Sequence, residues 1–132
     1  ALGAFRERIQ QQFCAAGIAL DWSIDEGAVS ARYSASEVLQ IFRILQECCT
    51  NIIRHAKASN VAFALRRVEG DHPIEITVRD DGCGLREGDN PNGKGLKNMA
   101  MRARRIGALF SLQNIGPGVE MCLRLPREHS EA

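Results

Sequence analysis

The sequence predicts an α+β fold, a two-layer α/β sandwich in which about three helices cover one face of a mixed, mostly antiparallel sheet. Two observations lead there. Segments with apolar residues every three or four positions are interspersed with short segments whose apolar residues recur every second position. After the first strand, the strand-like segments come in neighbouring pairs joined by turns bearing Gly and Pro, as in hairpins.

The opening segment, 1–16, has apolar residues at Leu2, Phe5, Ile9, Phe13 and Cys14, a helical stripe that Gly17 closes. Ile18, Leu20 and Trp22 alternate with smaller or polar neighbours as a strand, and Asp25, Glu26 and Gly27 make a turn. Ser34 or Ser36 can cap a long helix reaching His55 or Ala56, with Val38, Ile41, Phe42, Leu45, Cys49 and Ile52 on its buried face. Val61, Phe63 and Leu65 form one strand and Ile74, Ile76 and Val78 the next, joined by a turn through Gly70 and Pro73. A polar loop rich in Gly, Asn and Asp follows, then a helix from about Leu96 to Ile106. Leu109–Gln113 and Val119–Leu125 form a last hairpin around Gly116, Pro117 and Gly118, and the polar tail, 127–132, is expected to fray.

A chain of 132 residues fits a single domain spanning 1–132 and can bury a core without disulfides or a structural metal. The net charge of +1, with basic and acidic residues interleaved, provides no long-range pull toward nucleic acid. Function must therefore reside in a site. Five cysteines, two of them adjacent and none in a Cys-x-x-Cys pair, make neither a disulfide framework nor a zinc site; reduced thiols acting as small hydrophobes are expected. No apolar stretch approaches a membrane span, so no direct membrane contact is expected of this segment. Ala1 already lies within the helical pattern, and the segment is expected to belong to a longer protein.

Three groups of residues carry chemistry. On the long helix Glu47, Asn51, Arg54 and His55 recur at steps of three and four and share one face. A carboxylate, an amide, a cation and an imidazole together suit a hydrated Mg²⁺ ion and a polyphosphate, because Mg²⁺ prefers hard oxygen ligands and keeps much of its water. A solvated helix face has the same composition, so the stripe alone decides nothing. The second group is Asp80-Asp81-Gly82-Cys83-Gly84 at a strand end, where Asp80 can accept from an exocyclic amine and the glycines let backbone approach a flat ligand. An ordinary acidic turn would read the same way. The third is Gly93-Lys94-Gly95-Leu96, a glycine loop feeding a helix N-terminus, which offers free N–H groups to an anion. It lacks the spacing of a Walker loop and the surrounding βαβ unit of a dinucleotide site.

Taken in this order, the three groups resemble the N, G1 and G2 boxes of the GHKL ATPase superfamily, whose fold is the Bergerat ATP-binding fold. Glu47-x-x-x-Asn51-x-x-x-His55-Ala56 and Gly95-Leu96-x-x-Met99 further resemble sensor histidine kinases of the nitrate- and hexose-phosphate-sensor type. The opening helix with its Gly17-Ile18 end is also similar to that type, and the resemblance runs from about Leu2 to Pro126. It implies that Asn51 holds Mg²⁺, that Arg54 and His55 face the ATP phosphates, and that Glu47 stands beside the γ-phosphate and its water shell. It implies further that Asp80 reads the adenine amine, that Gly82 and Gly84 make room for the ring, and that 85–94 is the ATP lid. Gly93, Lys94 and Gly95 would then close on the phosphates with Leu96 packing near the nucleotide. The implied activity is that of a histidine protein kinase in two-component signal transduction, passing the γ-phosphoryl group to a histidine on a separate dimerisation domain and from there to a response regulator. The implied setting is the cytoplasmic part of a homodimeric, membrane-anchored sensor.

Within that resemblance His55 belongs with the nucleotide residues and is not the phosphoacceptor, and His72 and His129 fall in a turn and the tail. Autophosphorylation is therefore not expected of this segment by itself. Three residues depart from the family pattern: Ala100 where an arginine follows the methionine, although Arg102 keeps the next one; Val119 where a threonine is expected near the adenine; and Asp81 where asparagine is commoner, which adds a negative charge near the nucleotide. Alternatives are another GHKL ATPase or an anti-sigma serine kinase, with Glu47 as general base in the ATPases, and a kinase-like module that binds partners without ATP.

Overall fold

Ser34 starts the longest helix through a reciprocal cap: its Oγ accepts from Glu37 N–H at 3.1 Å while its own N–H donates to Glu37 Oε1 at 2.7 Å. In the computed structural model, which describes residues 2–29, 31–84 and 93–128 (the side chains of 93 and 94 excepted), this helix is the third of four. The order is α1 (Leu2–Ala15), β1 (Ala19–Ile24), α2 (Glu26–Val29), α3 (Ala35–Asn51), β2 (Asn60–Arg67), β3 (Ile74–Asp80), α4 (Gly93–Arg105), β4 (Leu109–Asn114) and β5 (Val119–Leu125). The expected turn at Gly27 is the short helix α2, begun by Asp25 Oδ1, which accepts from Gly27 N–H at 2.9 Å. The long helix does not stay α-helical to its end: Ile52–Ala56 form a π-helical turn, and Lys57 then leaves it with a left-handed φ of 52°.

The five strands form one sheet in the order β1-β2-β3-β5-β4, parallel between β1 and β2 and antiparallel elsewhere. Strand alternation sorts its faces. Val61, Phe63, Ile74, Ile76, Val78, Met121 and Leu123 turn inward, where α1, α3 and α4 cover them with Phe5, Ile9, Phe13, Ile44, Leu45, Cys49, Met99 and Ala103. Ile44 and Cys48 extend the buried face of α3 beyond the residues expected from periodicity, whereas Val38 and Phe42 are only partly buried. α1 is part of this core: Phe5 stacks on Phe42 at 4.8 Å, Phe13 meets Phe63 edge-on, and Gln10 accepts from the indole N–H of Trp22.

The opposite sheet face carries Ala62, Ala64, Thr77 and Cys122 between charged rows and forms a shallow trough of about 730 Å³. Glu75, 3% exposed, is gripped there by Arg66 at 2.6 Å and Arg124 at 2.9 Å, and Arg79 pairs with Glu120 at 2.6 Å. Of the tail expected to fray, Glu128 is held by Arg67 at 2.6 Å and by the N–H of Arg32 at 2.9 Å; 129–132 lie outside the described residues. All five cysteines are free; Cys48 and Cys49 are buried in the core as expected, but Cys14 and Cys83 are exposed.

Candidate functional site

Glu47 and Asn51 lie one turn apart on α3, partly buried, with the first turn of α4 set against them. The approach is close: a Cβ on Gly95 would come within 2.6 Å of Glu47 Oε1 and 3.6 Å of Asn51 Nδ2. The positive end of α4 thus sits directly over a carboxylate and an amide. The π-turn carries Arg54 and His55 on to the exposed surface at the end of α3. The glycine loop is described from Gly93, which opens α4; most of the expected lid, 85–92, and the Lys94 side chain lie outside the described residues. Leu96, expected against a ligand, is 37% exposed.

Asp80 closes β3 and is 4% exposed. Its carboxylate accepts from Gly82 N–H at 2.8 Å and from the backbone N–H of Val119. Burial raises its pKa more than these two donors lower it, and the nearby Asp81 charge adds to the rise. Two N–H donors leave a carboxylate with acceptor capacity to spare. The buried thiol of Cys48 lies within electrostatic reach of both ends of the site. Burial first, then the Asp80 and Glu47 charges, push its pKa up to about 12, so it stays a neutral packing group.

The turn after Asp80 is packed from three sides, and the glycines answer that packing. A Cβ on Gly82 would fall 2.0 Å from the carbonyl oxygen of Ala56, the last residue of the π-turn, and Cys83 N–H donates to that same oxygen at 2.7 Å. Gly84, at φ +77°, faces Asn114 Oδ1, which a Cβ would meet at 2.9 Å. Gly118, at φ +94°, has its Cα so near the Asp80 carbonyl that a Cβ would lie 1.8 Å from the oxygen. The Asp81 charge reaches Asp80, whose pKa it helps to raise, although the Asp81 carboxylate finds its partners elsewhere. It turns away and accepts from Ser59 N–H at 2.8 Å, Asn60 N–H at 2.9 Å and Asn60 Nδ2 at 3.0 Å. The Arg102 guanidinium donates to Gln40 Oε1 at 2.9 Å, about two turns before Glu47 on α3. Sequence reading named Ala56 only within the helix motif and missed Asn60, Asn114 and Gly118 as neighbours of this turn.

Residues 36–129 match the family model described as histidine kinase-, DNA gyrase B-, and HSP90-like ATPase. The chain belongs to that family. Among curated relatives, this ATPase domain is 34% identical over 110 residues to the signal transduction histidine-protein kinase/phosphatase UhpB of Salmonella typhimurium, covering 83% of the domain and 21% of the relative. It is 36% identical over 96 residues to the sensor protein VraS of Staphylococcus saprophyticus, covering 70% and 27%. The domain thus spans about a fifth to a quarter of these proteins' lengths. Its fold matches the Acinetobacter baumannii histidine kinase AdeS at a TM-score of 0.77 with 15% identity, over 97% of this chain and 66% of that one. The histidine kinase domain of the Erythrobacter litoralis EL346 blue-light activated kinase matches at 0.73 with 21% identity, over 95% and 58%. Membership of the family implies ATP binding. Among the described residues no helix is long and apolar enough to cross a membrane, and no three His, Cys, Asp or Glu side chains group to hold a metal.

Proposed function

We propose that this domain holds Mg-ATP for γ-phosphoryl transfer to a histidine on a dimerisation domain of the same full-length protein. The observation that carries the reading is the joining of two features across one buried layer: a buried acceptor, Asp80, at the strand end, and an amide and a carboxylate, Asn51 and Glu47, beneath the first turn of α4. These residues fit the nucleotide. Asp80 would accept from the adenine amine, and Asn51 would supply one hard oxygen to a Mg²⁺ ion. Arg54, His55 and Lys94 balance phosphate charge, Gly82, Gly84 and Leu96 border the base and its approach, and the backbone of Gly93 and Gly95 at the α4 N-terminus receives the anion. Bound Mg-ATP supplies the phosphoryl group and neutralises charge developing on it. The chain's own part is orientation and exclusion of water, which is most of what phosphoryl transfer requires. Glu47 orients the water shell or accepts the proton of the incoming nucleophile.

The similarity to UhpB, together with Glu47-x-x-x-Asn51-x-x-x-His55-Ala56, favours the nitrate- and hexose-phosphate-sensor type. The protein is then a homodimeric, membrane-anchored sensor with this domain in the cytoplasm, and its downstream partner is a response regulator. The expected result is saturable calorimetric binding of a non-hydrolysable Mg-ATP analogue, lost in Asn51→Ala and Asp80→Asn. In the full-length protein, label from γ-labelled ATP should be found on histidine. Unchanged binding in both variants overturns the reading. Steady hydrolysis by the domain alone, abolished by Glu47→Gln, would instead identify an ATPase.

A further inference from the structure

We infer that Asp81 is a positioning residue for the nucleotide, fixing the distance between the adenine-reading and phosphate-reading ends of the site without touching the ligand. The inference rests on the ATP reading above and concerns a residue whose side chain points away from the site.

The two ends sit on different elements. Asp80 ends β3, while Glu47 and Asn51 belong to α3, and the chain between helix and sheet is the short link after Ala56. That link begins with Lys57 in a left-handed conformation and ends at Ser59 and Asn60, where β2 starts. Among the described residues, two backbone-anchored polar connections tie the Asp80–Gly84 turn to this stretch, beside a longer one from the Cys83 thiol to His55 O at 3.5 Å. One is the Cys83 N–H bond to Ala56 O at 2.7 Å. The other is Asp81, whose carboxylate takes the N–H groups of Ser59 and Asn60 and the Asn60 amide, while its own N–H donates to Asn60 O at 3.2 Å.

A carboxylate accepting three donors makes stronger, shorter bonds than a neutral acceptor could. The Asn60 amide first, then the two backbone N–H groups, lower the pKa of Asp81 from its ordinary value, which favours the charged form of the clamp. Asp81 therefore sets where the link between the two ends stands relative to Asp80. A shift of even an ångström there moves Asp80 off a base whose phosphates are held on α3 and α4.

Asp81→Ala, Asp81→Asn and Asn60→Ala test this in the intact chain, with Asp80→Asn as the control for the underlying reading. Asp81→Ala should weaken Mg-ATP about tenfold while leaving competition by Mg-tripolyphosphate, which touches only the phosphate end, within about twofold of wild type. Asp81→Asn keeps an acceptor for the backbone N–H groups and should recover most of the affinity. Asn60→Ala removes one donor and should weaken binding by roughly threefold, and it decides the matter if Asp81→Ala does not fold. Wild-type affinity for Mg-ATP in the folded variants, or an equal loss for ATP and tripolyphosphate, overturns the positioning role. Absence of Mg-ATP binding in the wild type, or its persistence in Asp80→Asn, overturns the ATP reading instead.

Discussion

Gly95 lies so close to Glu47 that a Cβ there would meet Oε1 at 2.6 Å, although φ at this position is unremarkable for any residue. The obstacle is the tip of a flexible side chain, which can swing aside. Alanine also favours a helix over glycine by about 1 kcal/mol in a helix interior, and somewhat less near an end. Gly95→Ala should therefore keep or slightly raise the melting temperature while displacing the Glu47 carboxylate. The expected outcome is a folded domain with Mg-ATP binding weakened about tenfold, some 1.4 kcal/mol. Thermal melting and calorimetry on one sample check it, and a parallel loss of both would show that the glycine serves packing alone.

Gly118 should behave in the opposite way. Its φ of +94° is unfavourable for other residues, and the atom a Cβ would strike at 1.8 Å is a backbone oxygen, that of Asp80. Relief requires β5 to part from β3 at the point where Val119 N–H meets the Asp80 carboxylate. Gly118→Ala should cost about 3 kcal/mol or more and abolish nucleotide binding together with stability, read by urea unfolding and calorimetry. Near-normal unfolding of the variant would show that the hairpin yields easily.

These two glycines mark the limits of what was legible in the sequence. Helices and strands followed from periodicity, because the sheet has one covered face and α3 and α4 each bury a stripe. The three motif groups were visible as local runs, and the fold brings Glu47, Asn51 and Gly95 together. What stayed hidden depends on register or on distant backbone. Gly118 comes opposite Asp80 only through the β3–β5 pairing, in which Arg79 faces Glu120. Asp81 finds its donors about twenty residues earlier in the chain, at Ser59 and Asn60. The π-turn at Ile52–Ala56 has the composition of an ordinary helix end, and Ile44 is buried because α3 packs against neighbours on more than one side.

Glu75 provides a test on the far side of the sheet. Burial alone would raise its pKa, but hydrogen bonds and charge from Arg66 and Arg124 outweigh that and bring it below the ordinary carboxylate range. A lowered folded value means that the stabilisation is full above the unfolded value, near about pH 4.3, and is lost as pH falls through the folded one. Both arginines are about half exposed, so solvent screens much of the attraction. Glu75→Gln should cost about 2 kcal/mol at pH 7 and flatten the loss of stability below about pH 5. Urea midpoints across that range read it, and parallel curves for variant and wild type would exclude Glu75 as a source of the acid sensitivity.

Asp80 carries the opposite sign. Its pKa is raised, chiefly by burial, against the donors Gly82 and Val119. A carboxyl with a raised folded value binds its proton more tightly in the fold than in the open chain. Its contribution to stability is then present in full below the unfolded value, near about 3.9, and is lost as pH rises through the folded one. An ionised, buried Asp80 therefore weighs against the fold, and it is this form that the proposed function calls for, because only the ionised carboxylate presents acceptors alone to an amine. Acidification should thus weaken Mg-ATP binding at a higher pH than an ordinary aspartate would require, while Asp80 itself comes to favour the folded state. The carboxyl carbon shift of Asp80, followed by NMR in the free domain, gives the folded value directly. A midpoint at or below about 3.9 would remove the basis for this coupling between adenine recognition and stability.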